Sequence, residues 1–364
     1  MTKSNKCIVL LSSTSNGGAR TYQIQQLNYL SLLPFDCYLI DQNPQKILEA
    51  MDISVQSNVT PIQVDVWKNI AQVKFIVSSL RNKYSELLIV ISNPTVILKY
   101  FSLLFNLKMG GANIVHLTLH SRMNFKLFIT APLFELLTSI AILLCVSKIS
   151  YVSQYTRRYW CGRYPWLAKI SHTVVHNGVD MPITRTSLTK TGPLFRVGFV
   201  GRLDKDKDPE LFGSIAKAAV GSGMGVQFHM FGDGPIIKKM TAYYSDVVEF
   251  HGWRSAKDIY VGIDILILTS PIENCPYSVI EAKKFGIPTI AYGDGGLPEI
   301  VEHMQDGYLV KKRVVSEYLL GINEVINSYN EFSGAAFCAG KRFSARDSSQ
   351  KIWKFLSEKF QYLS

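Results

Sequence analysis

Two four-residue stretches, Ile8-Val9-Leu10-Leu11 and Ile265-Leu266-Ile267-Leu268, contain no polar side chain. A strand with one wet face alternates apolar and polar residues. An unbroken apolar run of this length instead suits a strand covered on both faces, as in a parallel sheet flanked by helices. The rest of the chain fits that demand, because longer amphipathic stretches separate the short apolar runs. Candidate strands in the first half are Cys7–Ser12, Cys37–Asp41, Leu87–Ser92, Asn113–Leu119, Ile149–Val152 and Thr173–His176. In the second half they are Arg196–Gly201, Val226–Phe231, Val247–Phe250, Ile263–Thr269 and Pro288–Tyr292. The connections are long enough for helices, so each half reads as a doubly wound α/β unit.

A chain of 364 residues is long enough for two such domains, each with its own core. The boundary is placed near Val179–Pro193. Asn177-Gly178 signals a turn, and a polar stretch of Thr, Ser and Lys runs to Gly192-Pro193 before a new strand begins. The expected domains are residues 1–185 and 186–347. A terminal segment, 348–364, has Ile352, Phe355, Leu356 and Phe360 at helical spacing and can pack back on the first domain.

The net charge of +11 favours anionic partners: nucleic acid, anionic lipid or phosphorylated small molecules. A solvated basic surface accounts for it equally well. No basic stretch interleaved with aromatics and no zinc module is present, so nucleic acid is not expected. The six cysteines form no CxxC pair and most lie among apolar neighbours, which argues against a zinc cluster or disulfide framework and for a reducing compartment. The run Ile8–Leu11 is too short for a signal-peptide core, and the expected location is cytoplasmic.

Leu127–Ser147 has the length of a membrane span with one charge, Glu135. Pro132 and Glu135 interrupt it, and a polar segment follows directly. It reads as a buried helix or as a helix lying on a membrane surface, with Arg122, Lys126 and Lys148 as basic neighbours.

Ligands of open parallel sheets bind at the carboxyl ends of strands, so chemistry is sought after each strand. Gly17-Gly18 after the first strand lets backbone N–H groups approach a phosphate at a helix start. A plain turn explains the pair as well, and it lacks GxGxxG spacing. His116 and His120 lie four apart on a strand without an HExxH pattern; His120 sits at the strand's end. Arg202 and Lys207 follow the second domain's first strand and are placed to neutralise a diphosphate. Two overlapping Asp-x-Asp triplets in the same loop alternate with lysines and compensate their own charge. Gly232-Asp233-Gly234-Pro235 forms a tight turn where backbone can meet a flat ligand. The richest segment, Thr269–Ala282, follows the most apolar strand. It offers Glu273 in a loop, a helix start near Tyr277 and Ser278, and Glu281 on that helix. A cap at Glu273 and an exposed helix residue at Glu281 are the plainer reading.

Together these pieces resemble the retaining glycosyltransferases of family four, with greatest similarity over 199–310. The resemblance rests on Val200-Gly201-Arg202-Leu203 with Lys207, Phe231-Gly232-Asp233-Gly234-Pro235, Glu273 and Glu281 with seven residues between them, and Gly295-Gly296-Leu297-Pro298-Glu299. Gly17-Gly18, His120, Val152-Ser153 and Asn177–Asp180 add to it. It implies the GT-B architecture: α/β, two Rossmann-like doubly wound domains facing across a cleft. It also implies sugar transfer from a nucleotide-diphosphate donor to a glycan or lipid-linked acceptor, in bacterial surface-polysaccharide assembly at the inner face of the membrane. Arg202 and Lys207 would hold the diphosphate, with Gly18 approaching it from the first domain. Glu281 would bind the ribose, and Glu273 the transferred sugar. His120 would lie on the acceptor side. No metal or other cofactor is expected. Pro276 departs from the family pattern by removing a backbone donor, as does the pair Lys283-Lys284, which could add to a basic face. A sugar-nucleotide epimerase of the same architecture and a non-catalytic nucleotide-binding protein are the alternatives.

Overall fold

The structure is a computed structural model that describes residues 6–12, 18–51, 56–111, 113–120, 131–181 and 194–358. The chain divides into two compact units, Met1–His176 with Ala345–Ser364, and Asn177–Ser344.

In the first unit the strands are β1 (Lys6–Leu11), β2 (Asp36–Asp41), β3 (Val59–Gln63), β4 (Glu86–Ile91), β5 (Ile114–Leu119), β6 (Lys148–Tyr151) and β7 (Ser171–Val174). They form one parallel sheet in the order β3-β2-β1-β4-β5-β6-β7. The second unit contains β8 (Phe195–Val200), β9 (Val226–Phe231), β10 (Val248–Gly252), β11 (Ile265–Leu268), β12 (Thr289–Tyr292) and β13 (Gly307–Val310). Their order, again all parallel, is β10-β9-β8-β11-β12-β13.

The unbroken apolar runs occupy the sheet centres. β4 and β11 are buried at every position, and β1 at every position after Lys6. Two strands that the sequence reading does not contain, β3 and β13, lie at sheet edges. β3 carries Pro61 and three exposed positions, which an edge strand tolerates because one side of its ladder is open. In each sheet the order reverses once, between β1 and β4 and between β8 and β11. The carboxyl ends flanking a reversal leave a crevice, the usual ligand position in such sheets.

The helix Ala131–Cys145 packs along one side on the helices Thr95–Lys99 and Phe101–Met109. Thr138, Ser139, Ala141, Ile142 and Cys145 are buried. Glu135 is buried too, accepting from Tyr159 Oη at 3.0 Å and pairing with Arg163 at 3.2 Å. The opposite side exposes Leu133, Phe134, Leu137, Ile140 and Leu144. The helix is therefore half-buried, not fully buried. Among the described residues no helix is long and apolar enough to cross a membrane. Lys148, read as a basic neighbour of this segment, is buried in β6, where its ammonium donates to the Phe355 carbonyl and covers the Phe355 ring. Its strand position gives it to the core. Arg122, Lys126 and the start of the segment lie outside the described residues.

The helix Ala345–Ser357 packs on the helix Gly18–Leu30. Ile352 and Leu356 are buried, and Gln26 Nε2 donates to Ser349 Oγ at 2.9 Å. Ser348 Oγ donates to the His176 carbonyl at 2.9 Å, and Trp353 packs on Phe35. The chain thus crosses from the first unit to the second and returns.

Candidate functional site

The loop after β8 is tied down at both ends. Leu203 N–H donates to the Asp233 carbonyl at 2.9 Å, holding the loop against the turn after β9. Asp208 takes a left-handed conformation, φ 48°, and its carboxylate caps the helix Pro209–Gly221 by accepting from Leu211 N–H. Arg313 pairs with Asp208 and donates to the Thr269 carbonyl at 3.0 and 3.2 Å, so it joins the loops after β8 and β11. Asp204 accepts from Lys207 N–H at 3.2 Å and pairs with Arg202 at 2.9 Å. Asp204 and Asp208 are thus occupied in holding the loop and its cations.

Lys207 and Glu273 meet at the reversal of the second sheet. The Lys207 ammonium bonds Glu273 Oε1, which also accepts from Ser270 Oγ at 2.7 Å. Thr269 Oγ1 donates to the Lys207 carbonyl at 2.9 Å, fixing the lysine's backbone to the end of β11. The glutamate's own backbone is held as well, since Gly296 N–H donates to its carbonyl at 2.7 Å. Gly295 makes that approach feasible: at φ +72° it tolerates a left-handed backbone, and a Cβ there would collide with the Glu273 carbonyl oxygen. Glu273 is a carboxylate positioned by a lysine, a serine and a glycine turn, which is more than a helix cap.

Glu281 lies in the second turn of the helix Tyr277–Lys284. Its carboxylate accepts from Tyr260 Oη at 2.9 Å, and the same hydroxyl reaches the Ser278 carbonyl at 3.1 Å. Burial pushes the Glu281 carboxyl above its ordinary range and the Tyr260 phenol well above its own. Glu281 is therefore half-enclosed and oriented, not an exposed helix residue. Pro276 precedes this helix and supplies no side-chain cap of its own, and Tyr277 and Ser278 begin the helix. Lys283 and Lys284 do not form a basic face: both are buried, and Lys283 pairs with buried Asp306. Their helix faces inward at these positions, and burial lowers the Lys283 ammonium from its ordinary value. Gly234 sits in the turn after β9, where a Cβ would collide with the Leu203 carbonyl oxygen. Packing of two loops thus explains this glycine directly.

In the first unit Gly18 opens the helix Gly18–Leu30 after β1; Gly17 lies outside the described residues. His120 follows β5 and stands edge-on to the Tyr22 ring, centroids 4.6 Å apart. Burial pushes its imidazole down to about 4, so it is neutral near pH 7. His116 is a core residue on the same strand: it bonds Ser150 Oγ at 2.8 Å, and burial pushes it down to about 3. The structure brings Lys207 and Glu273 into contact and sets Glu281 on the helix that follows. Arg202 bonds Asp204 in the same loop. Ser270, Tyr260 and Arg313 are contributors that the sequence reading does not assign. Ser270 was within reach of it, three residues before Glu273, whereas Tyr260 and Arg313 come from distant segments.

Residues 195–328 match the family model described as glycosyl transferases group 1. The matched stretch lies within the second unit, Asn177–Ser344. A glycogen synthase of Xanthomonas campestris pv. campestris is 33% identical to the chain over 130 residues, which is 34% of this chain and 27% of that protein. The UDP-Gal:alpha-D-GlcNAc-diphosphoundecaprenol alpha-1,3-galactosyltransferase of Escherichia coli is 24% identical over 207 residues, 47% of this chain and 53% of that protein. The chain thus spans only part of the length of the curated relatives it matches. The Anabaena protein HepE, solved in complex with UDP and glucose, has the same fold: TM-score 0.77 at 19% identity, covering 97% of this chain and 99% of that one. The fold is GT-B, and the stretch matched by the family model includes Arg202, Lys207, Glu273 and Glu281.

Proposed function

We propose that the chain transfers a sugar, with retention of configuration, from a nucleoside-diphosphate donor to a glycan or lipid-linked acceptor. The observation that carries this reading is the Lys207–Glu273 pair at the β8/β11 reversal, followed along the chain by the helix Tyr277–Lys284. Lys207 and Arg202 take the diphosphate, with the helix start adding backbone donors. Their present partners are easily exchanged: the exposed Arg202–Asp204 pair contributes about 0–1 kcal/mol, while charge-assisted bonds to phosphate are stronger. Glu281, oriented by Tyr260, accepts from the ribose hydroxyls. Glu273 accepts from hydroxyls of the transferred sugar and stabilises positive charge as the bond to the leaving group breaks. The departing phosphate helps take the proton of the attacking acceptor hydroxyl on the same face. In this reading the leaving group's charge is met by Arg202, Lys207 and the helix start, so no metal is needed. His120, neutral at pH 7, serves the acceptor side as a hydrogen-bonding group.

A lipid-linked acceptor in surface-polysaccharide assembly is the favoured setting. The name of the Escherichia coli relative specifies such an acceptor, and the exposed apolar side of the helix Ala131–Cys145 suits a protein resting on the inner face of a membrane. Lys108, whose ammonium donates to the Leu143 carbonyl at 2.8 Å, adds a cation beside that side.

The test is thermal unfolding of the full chain against UDP-, GDP-, ADP- and CDP-sugars without added metal, UDP-sugars first because HepE was solved with UDP. A ligand at about 100 times its Kd stabilises a fold by about 2.7 kcal/mol. A shift with one nucleotide class in wild type, reduced in Lys207→Ala, is expected. No shift with any nucleotide counts against the donor reading.

A further inference from the structure

A second group of chemically versatile side chains lies in the Asn177–Ser344 unit, on the outer strands of its sheet. Glu249 on β10 stands in register with His229 on β9, and His251 sits at the shift of register between Phe250 and Gly252, an irregularity that re-aims a side chain on an edge strand. Three potential ligand atoms converge there. His229 Nδ1 is 3.0 Å from His251 Nε2 and 3.4 Å from Glu249 Oε2, and His251 Nε2 is 3.8 Å from Glu249 Oε1. Donors about 2.0–2.1 Å from a tetrahedral zinc ion stand roughly 3.3–3.4 Å from one another, so these separations bracket the required edge.

The rings are set in place before any ion arrives. Phe231 stacks on His251 with centroids 4.5 Å apart and planes at 12°, and the two imidazoles stack at 5.3 Å. The His229 side chain is nearly enclosed. Glu249 is mostly exposed, leaving an entry path and a carboxylate free to swing inward. None of the three belongs to the donor loops described above.

We propose that His229, Glu249 and His251 form a binding site for a borderline divalent transition metal of the zinc type. Two imidazoles and one carboxylate suit such an ion better than magnesium or calcium, which prefer all-oxygen shells. Three protein ligands leave a fourth position for water. The ion would link the edge strand β10 to β9 just before the Gly232–Pro235 turn, where Gly232 N–H already donates to the Gly252 carbonyl at 2.8 Å. It would pin the sheet edge and needs no part in sugar transfer.

The alternative occupant of this geometry is a simple hydrogen bond between the two imidazoles, and calorimetry separates the two. Untagged, metal-stripped full chain is titrated with ZnCl2, and Co2+ is bound in parallel to read tetrahedral ligand-field bands. Wild type is expected to take up one Zn2+ and to show the cobalt bands. Glu249→Gln alters an exposed side chain without loss of shape, and His251→Ala removes a nitrogen; each is expected to weaken zinc binding at least tenfold while circular dichroism stays unchanged. Absence of zinc uptake by wild type, or wild-type zinc affinity in either variant, overturns the proposal.

Discussion

Lys207 and Glu273 constrain each other, and their substitutions have different expected effects. Removing the Lys207 ammonium takes away a charge that the diphosphate needs, so Lys207→Ala is expected to raise the donor Kd at least tenfold, measured by calorimetry. Removing the Glu273 carboxylate frees Lys207 from its partner, so Glu273→Ala should bind donor with little loss. Its defect belongs to the transition state, with kcat down about 100- to 1000-fold, as when an oriented electrostatic group is lost. A large loss of donor affinity in Glu273→Ala would reverse these roles. The buried histidines make a separate prediction. Burial holds the folded-state values of His116 and His120 at about 3 and about 4, below an unfolded value near 6.5. Between the folded and unfolded values the unfolded chain binds more protons, so stability is full above about pH 6.5 and falls as the pH drops toward 4. His116→Asn, which keeps a donor for Ser150, should flatten this slope in urea titrations at pH 7, 5.5 and 4.5, whereas an unchanged slope would show that His116 is not its source. The sequence placed Lys207, Glu273 and Glu281 because each follows a strand end. It could not place Tyr260 or Arg313, whose roles come from bonds to Glu281 and Asp208 across 21 and 105 residues. The same holds for His229 with His251, since only the pairing of β9 with β10 makes them neighbours.

At the scale of elements, legibility followed burial. Central strands such as β1, β4 and β11 advertise themselves by unbroken apolar runs. β3 and β13 do not, because an edge strand needs neither two apolar faces nor a full ladder, and Pro61 in β3 looks like a break. The helix Ala131–Cys145 was ambiguous for a related reason. Its composition is mostly apolar, which suits burial or lipid equally, and only its packing on the neighbouring helices shows that Leu133, Leu137, Ile140 and Leu144 are left outside. If that side meets lipid, Leu137→Asp with Ile140→Asp should cut co-sedimentation with anionic vesicles at low salt at least tenfold, because each buried aliphatic side chain contributes about 1.5–3 kcal/mol. Folding is protected, since both positions are exposed. Equal sedimentation of the double variant would remove this helix from the membrane reading, and concentration-dependent self-association abolished by the same changes would assign the face to a second copy.

The whole molecule is two sheets joined by a chain that returns to where it began. The returning helix Ala345–Ser357 brings Ile352 and Leu356 into the first unit, bonds Gln26 through Ser349 and reaches the His176 carbonyl through Ser348. Its spacing in the sequence announced a helix with an apolar side. Its destination was left to folding, because an apolar stripe does not name its partner. Truncation after Ser344 would uncover the helix Gly18–Leu30 and leave buried Gln26 without its Ser349 partner, a defect confined to the Met1–His176 unit. Arg202, Lys207, Glu273 and Glu281 all lie in the other unit and keep their partners, which are also within Asn177–Ser344. The truncated chain is therefore expected to unfold at lower temperature and to be cut by protease first within the helix Gly18–Leu30, yet to retain a nucleotide-dependent shift. Calorimetry with and without the nucleotide that stabilises wild type reads both effects. Loss of the nucleotide shift on truncation would mean that the donor residues depend on the first unit being whole. Unchanged stability would mean that the returning helix contributes little beyond covering its neighbour.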